Sequence, residues 1–135
     1  MVNLNEYHER PWGHYVKFYQ EFGVWVKRVE VNPGCRLSLQ KHRQRSEKWI
    51  IVEGFGRVVL ESEDRDVGKG DVVDIAVGEV HRIGNTGEIP LIFIEVACGE
   101  YLGEDDIIRL QDDYARQDIS ATSSSLKTLD STQPV

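Results

Sequence analysis

From residue 24 to residue 99 apolar and polar residues alternate in short runs, and glycine or proline interrupts the series. VWVKRVEV (24–31) stops at Asn32-Pro33-Gly34. CRLSLQKH, KWIIVEG and GRVVLESE follow, GKGDVVDIAVGEVHRIGN holds two more runs around a glycine-containing turn, and IPLIFIEVACG closes the series. Period-two alternation, β-branched residues and regular turn signals predict an all-β fold, an antiparallel barrel or sandwich. The pattern then changes. In EDDIIRLQDDYARQ, Ile107, Ile108 and Leu110 predict a short C-terminal amphipathic helix with Asp105 and Asp106 at its N-terminus. From Ala121 the chain is polar, rich in Ser and Thr, and without periodicity. One domain is therefore expected over residues 1–120 and a disordered polar tail over 121–135.

Successive strand side chains face opposite ways, so the same pattern sorts residues by face. Arg36, Ser38, Gln40 and His42 share one face, and Leu37 and Leu39 the other. Trp25, Val29 and Val31 make an apolar face with Lys27 among them; such a lysine either snorkels to an edge or enters a polar pocket. Glu95 shares the side of Leu91 and Phe93, so it either faces inward with them or stands as an exposed carboxylate. Trp49 and Ile51 continue the face of Glu47, and Lys48 faces away. Trp12, Trp25 and Trp49 suit core or dimer packing.

Composition narrows the function classes. The net charge is −7, with no basic block, which excludes a nucleic-acid partner. No apolar run approaches the length of a membrane span, and the first residues lack the apolar stretch of a secretory signal. Cys35 and Cys98 match no metal spacing and are expected as reduced thiols in a cytoplasmic protein, with a disulfide left open. The acidic run GEYLGEDDIIRLQDDY is expected to be a solvated, partly helical surface.

Gln40 and His42 are neighbours on one strand face, Glu47 opens the next strand after a tight turn, and His81 follows Val77-Gly78-Glu79. Two imidazoles, a carboxylate and an amide oxygen form a mixed nitrogen and oxygen site. It suits one divalent zinc, manganese, cobalt, nickel or iron(II) and leaves positions for substrate.

The spacing Gly34, Gln40-Lys41-His42, Glu47, Gly54 resembles the first cupin motif, with Gln40 in place of the usual first histidine. Gly70 to Asn85, with Ala76 where proline is usual, resembles the second. Arg10-Pro11-Trp12-Gly13, Val26-Lys27-Arg28, Arg36-Leu37-Ser38-Leu39-Gln40, Arg45-Ser46-Glu47 and Gly99 to Ile107 resemble the type II phosphomannose isomerases. There this domain is often the C-terminal part of a bifunctional mannose-1-phosphate guanylyltransferase/mannose-6-phosphate isomerase.

The resemblance implies a cupin double-stranded β-helix (jelly-roll) barrel, with metal ligands Gln40, His42, Glu47 and His81. It also implies interconversion of mannose 6-phosphate and fructose 6-phosphate through an enediol, and a homodimer to which Leu37 and Leu39 contribute. Lys27, Arg36, Arg10 and Arg45 are candidates for the phosphorylated sugar, each also suited to a surface ion pair. Glu95 is the candidate base, and Arg45 a candidate for the reaction chemistry. Gln44 and Lys48 stand where the family has histidines. That departure points to the alternative, a metal-binding cupin without isomerase activity. Such a protein would bind a sugar phosphate or other small acid, or partner a separate nucleotidyltransferase.

Overall fold

The computed structural model describes residues 5–116. Its strands are β1 (Glu6–Arg10), β2 (Gly13–Glu21), β3 (Val24–Val31), β4 (Leu39–Lys41), β5 (Arg45–Glu53), β6 (Gly56–Leu60), β7 (Asp64–Val67), β8 (Val72–Ile75), β9 (His81–Asn85), β10 (Leu91–Gly99) and β11 (Ile108–Gln111). They form two antiparallel sheets, ordered β1-β2-β3-β10-β5-β8 and β11-β4-β9-β6-β7. The long crossovers between sheets are those of a jelly roll. No helix among the described residues is long and apolar enough to cross a membrane.

The alternating faces appear where the sequence places them. In β3 the odd residues Trp25, Lys27, Val29 and Val31 are buried, and in β5 Arg45, Glu47, Trp49 and Ile51. The register stacks these side chains in rows across the larger sheet. Tyr15, Val29, Phe93 and Ile51 form one row, and Lys17, Lys27, Glu95 and Trp49 the next; Trp25, Ala97, Glu47 and Ile75 form the third. The apolar first row packs with Val58 and Ile83 of the smaller sheet. Each fully buried side chain there contributes roughly 1.5–3 kcal/mol. The other two rows carry charge, so one half of the interior is a dry core and the other a polar cavity.

The expected C-terminal helix is a strand. Residues 108–111 form β11, which pairs with β4 at Ile108↔Lys41 and Arg109↔Gln40. The free edge of the short strand β4 outweighs the helical spacing of three apolar residues. Asp106 sits at no helix N-terminus: its carboxylate accepts the backbone N–H groups of Arg43 and Gln44 at 2.9 and 3.0 Å. Past β11, the buried Asp113 takes the Arg36 Nε at 2.6 Å and its Nη2 at 2.9 Å. The tail expected over 121–135 lies outside the described residues. Cys35 and Cys98 are free thiols, and Cys98 is exposed. All three tryptophans are buried, so none forms an outer face for dimer packing. Leu37, expected to face outward, packs against the core. The chain from 36 to 38 forms only the bridge Arg36↔Gly84, so strict alternation does not hold there.

Candidate metal centre and cavity

Two glycine turns deliver the histidine strands. Gly34, at φ 78°, follows Pro33 in a turn closed by the Cys35 N–H on the Asn32 carbonyl, 3.0 Å, and this turn starts the run into β4. Gly78, at φ 80°, turns the chain from β8 toward β9, and its N–H donates to the His42 carbonyl at 2.8 Å. Gln40 of β4 and His81 of β9 are directly opposed in register.

His42, Glu47 and His81 converge, with one ligand atom from each within 4.8 Å of the others, and all three are buried. The Nδ1 of His42 lies 2.7 Å from the carbonyl oxygen of Asp106, and that of His81 lies 2.9 Å from the carbonyl oxygen of Glu79. A carbonyl only accepts, so each ring carries a proton on Nδ1, which leaves Nε2 as the position for a ligand bond. Burial pulls the His42 pKa down to about 4, which keeps the ring neutral at pH 7. These are the tautomer and charge state that a metal needs, with outer partners that orient the rings. Glu47 is buried, which alone would raise its pKa, yet it is held below the usual carboxylate range by its neighbours. Because His42 is neutral, the effective cation is Arg45, whose Nε donates to Glu47 Oε2 at 2.8 Å. Trp49 Nε1 donates to the other carboxylate oxygen at 2.9 Å. Buried Gln40, opposite His81, adds an amide on the same wall. The set fits a divalent metal.

The cavity, about 110 Å³, is lined by these residues together with Lys27, Glu95, Arg10 and Glu104. Glu95 is diagonal to Glu47 in the sheet register and accepts a hydrogen bond from Trp25 Nε1 at 2.9 Å. Burial first, then the negative charge of Glu47, raises its pKa to about 7. Lys27 does not snorkel. Its Nζ lies 4.0 Å from the Tyr15 ring centroid and 4.1 Å from that of Trp25, and pairs with Glu104 at 2.9 Å. Arg45 is buried beside Trp25, and Arg10 reaches the Tyr15 hydroxyl at 3.3 Å. Arg36 does not line the cavity, because Asp113 holds its guanidinium. Both departures from the family pattern fall outside as well: Gln44 is exposed, and Lys48 pairs with Asp74 on the outer face.

Three participants escape the alternation reading. Lys17 lies beside Lys27, 4.5 Å from the Trp25 centroid, on a strand whose register shifts at the next residue. Glu104 and Asp106 belong to the acidic run expected at a solvated surface. The acidic, glycine-broken pattern and the Gly99–Ile107 resemblance marked the segment, without a role for either side chain in the cavity.

The family described as Mannose-6-phosphate isomerase C-terminal matches residues 2–112. AlgA of Pseudomonas aeruginosa, an alginate biosynthesis protein, is 45% identical over 107 residues, which is 79% of this chain and 22% of that protein. ManC of Salmonella typhimurium, a mannose-1-phosphate guanylyltransferase, is 42% identical over the same shares. XanB of Xanthomonas campestris, a xanthan biosynthesis protein, is 44% identical over 79% of this chain and 23% of its own. The chain thus spans about a fifth of the length of these relatives. Among solved structures, Lactobacillus farciminis oxalate decarboxylase superposes with a TM-score of 0.67 at 27% identity, covering 78% of this chain and 33% of that one. The cupin domain of Schizosaccharomyces pombe Cnp3 gives 0.62 at 15% identity over 64% of each chain, a likeness of fold alone. On a cupin double-stranded β-helix, this chain belongs to the Mannose-6-phosphate isomerase C-terminal family.

Proposed function

We propose that the chain is a metal-dependent aldose–ketose isomerase acting on mannose 6-phosphate and fructose 6-phosphate. The observation that carries this reading is the convergence, in one buried cavity, of a metal-ligand set, the carboxyl group of Glu95 and the ammonium of Lys27. The reaction moves one carbon-bound proton from C2 to C1 and one hydroxyl proton from O2 to O1. A divalent ion held by Gln40, His42, Glu47 and His81 supplies Lewis-acid stabilisation of negative charge on the sugar oxygens. Glu95 takes the C2 proton, exchanges its carboxyl proton with solvent, and protonates C1. Burial holds this carboxyl group above the usual carboxylate range, which suits a group that both takes and gives a proton. Arg45 fixes the orientation of Glu47. Lys27, with Arg10 at the wall, holds the phosphate.

Charge supports the same ligand class. Lys17, Lys27 and Arg45 face Glu47, Glu95 and Glu104 across the interior. Arg10, Arg109 and Arg116 also line the cavity, so its cations outnumber its carboxylates, which suits an anionic ligand such as a phosphate monoester, close to a dianion at neutral pH. The test is turnover of mannose 6-phosphate by metal-loaded protein in a coupled fructose 6-phosphate assay. Turnover in the wild type and its loss in His81→Ala with the fold kept are expected. Bound metal without turnover, across several divalent ions, favours the non-catalytic cupin instead.

A further inference from the structure

We infer that Glu104 is an internal counter-ion that closes the cavity, and that the phosphate of an incoming ligand displaces it from Lys17 and Lys27. The inference rests on the sugar-phosphate reading of the cavity and adds to it a residue of the acidic segment between β10 and β11. The Glu104 carboxylate lies 2.9 Å from Lys27 Nζ and 3.7 Å from Lys17 Nζ. The two lysine side chains are only 10% and 6% exposed, whereas that of Glu104 is 42% exposed. The acid therefore stands between the buried cations and solvent. An anion arriving from outside meets Glu104 first, and its oxygens require the same N–H donors.

The segment is built to release one residue without losing its anchor. At one end it continues from β10 at Gly99. At the other, Asp106 is fixed by the backbone N–H groups of Arg43 and Gln44, and its carbonyl by His42 Nδ1. Between these ends the ties to the barrel interior include the Glu104 ion pairs, a hydrogen bond between Glu104 and Tyr15, and the Gly103 carbonyl, which accepts Arg45 Nη1 at 3.2 Å. Displacement of Glu104 thus loosens the middle of the segment while Asp106 keeps His42 oriented. Two buried ammoniums cost too much to leave without an anion. In the unliganded protein Glu104 supplies it, and in the liganded protein the phosphate does.

Titration calorimetry of the metal-loaded full chain tests this, with inorganic phosphate, mannose 6-phosphate and unphosphorylated mannose as probes. Glu104→Gln is expected to tighten inorganic phosphate and mannose 6-phosphate by roughly tenfold, the worth of one charged hydrogen bond, and to leave mannose unchanged. Glu100→Gln removes the same charge from the same segment and is expected to change neither. In the wild type, phosphate should speed amide exchange over residues 100–105. Weaker or unchanged phosphate binding in Glu104→Gln, equal tightening in Glu100→Gln, or exchange that slows with phosphate would overturn the inference. If Glu104→Gln tightens phosphate while the wild type turns over no mannose 6-phosphate, the displacement stands and the isomerase reading falls. An active enzyme whose phosphate affinity ignores Glu104→Gln gives the reverse.

Discussion

Glu95 shows how a fold sets the chemistry of one side chain. It lies in a row of buried residues between Lys27 and Trp49, where burial and the charge of Glu47 raise its pKa to about 7. A raised carboxyl pKa favours the folded state below the unfolded value. That contribution is lost as pH climbs through the folded one. The metal-free protein should therefore lose stability on the order of 2–3 kcal/mol between about pH 4.5 and 7 from this group. Glu95→Gln should flatten that slope in urea unfolding at a series of pH values; an unchanged slope would contradict the assignment. Because Trp25 donates to Glu95, Trp25 emission should also titrate near pH 7 in the wild type and not in the variant. Sequence alternation places Glu95 and Lys27 each on a face with apolar neighbours and Glu47 on that of Trp49 and Ile51, and leaves open whether Lys27 and Glu95 turn inward. Its reach stops at partners, since nothing in the spacing says that Asp113 takes Arg36 or that Glu104 takes Lys27.

At the scale of elements, β7 has one apolar residue in four and carries no run to read, whereas the other strands from residue 24 to residue 99 were legible because their runs end at turn residues. β11 was not. Ile107, Ile108 and Leu110 repeat at helical spacing, and only the unpaired edge of β4, a long-range fact, makes the segment a strand. The β1–β2 hairpin carries aromatic and charged residues on both faces, so its period is blurred, and the register shift after Lys17 blurs it further. The clamp that holds the chain after β11 predicts a separation of stability from binding. Arg36→Ala leaves the buried Asp113 carboxylate without its bidentate partner and should cost about 2–3 kcal/mol, discounted because Arg36 is partly exposed. The denaturation midpoint should fall while metal and phosphate affinities stay within twofold or so. A large loss of phosphate affinity at unchanged stability would return Arg36 to the substrate site.

In the whole molecule, the larger sheet carries both an apolar row of the core and the charged rows of the cavity. The outer face of that sheet is apolar in part: Val72, Ile50 and Ile94 stand in one cross-strand row, with Val72 and Ile50 45% and 44% exposed. We propose that a homodimer, as the resemblance implies, would pair through this face and not through Leu37, which is turned inward. Sedimentation should give a dimer for the wild type and a monomer for Ile50→Lys, and a wild-type monomer would remove the pairing. Proton transfer by Glu95 is decided by running the metal-loaded protein with mannose 6-phosphate in D2O and following the sugar carbons by NMR. Deuterium should enter C1 of fructose 6-phosphate and C2 of recovered mannose 6-phosphate, and Glu95→Gln should abolish its entry with metal still bound. Carbon-bound hydrogen fully retained, or deuterium entering equally in Glu95→Gln, would contradict it.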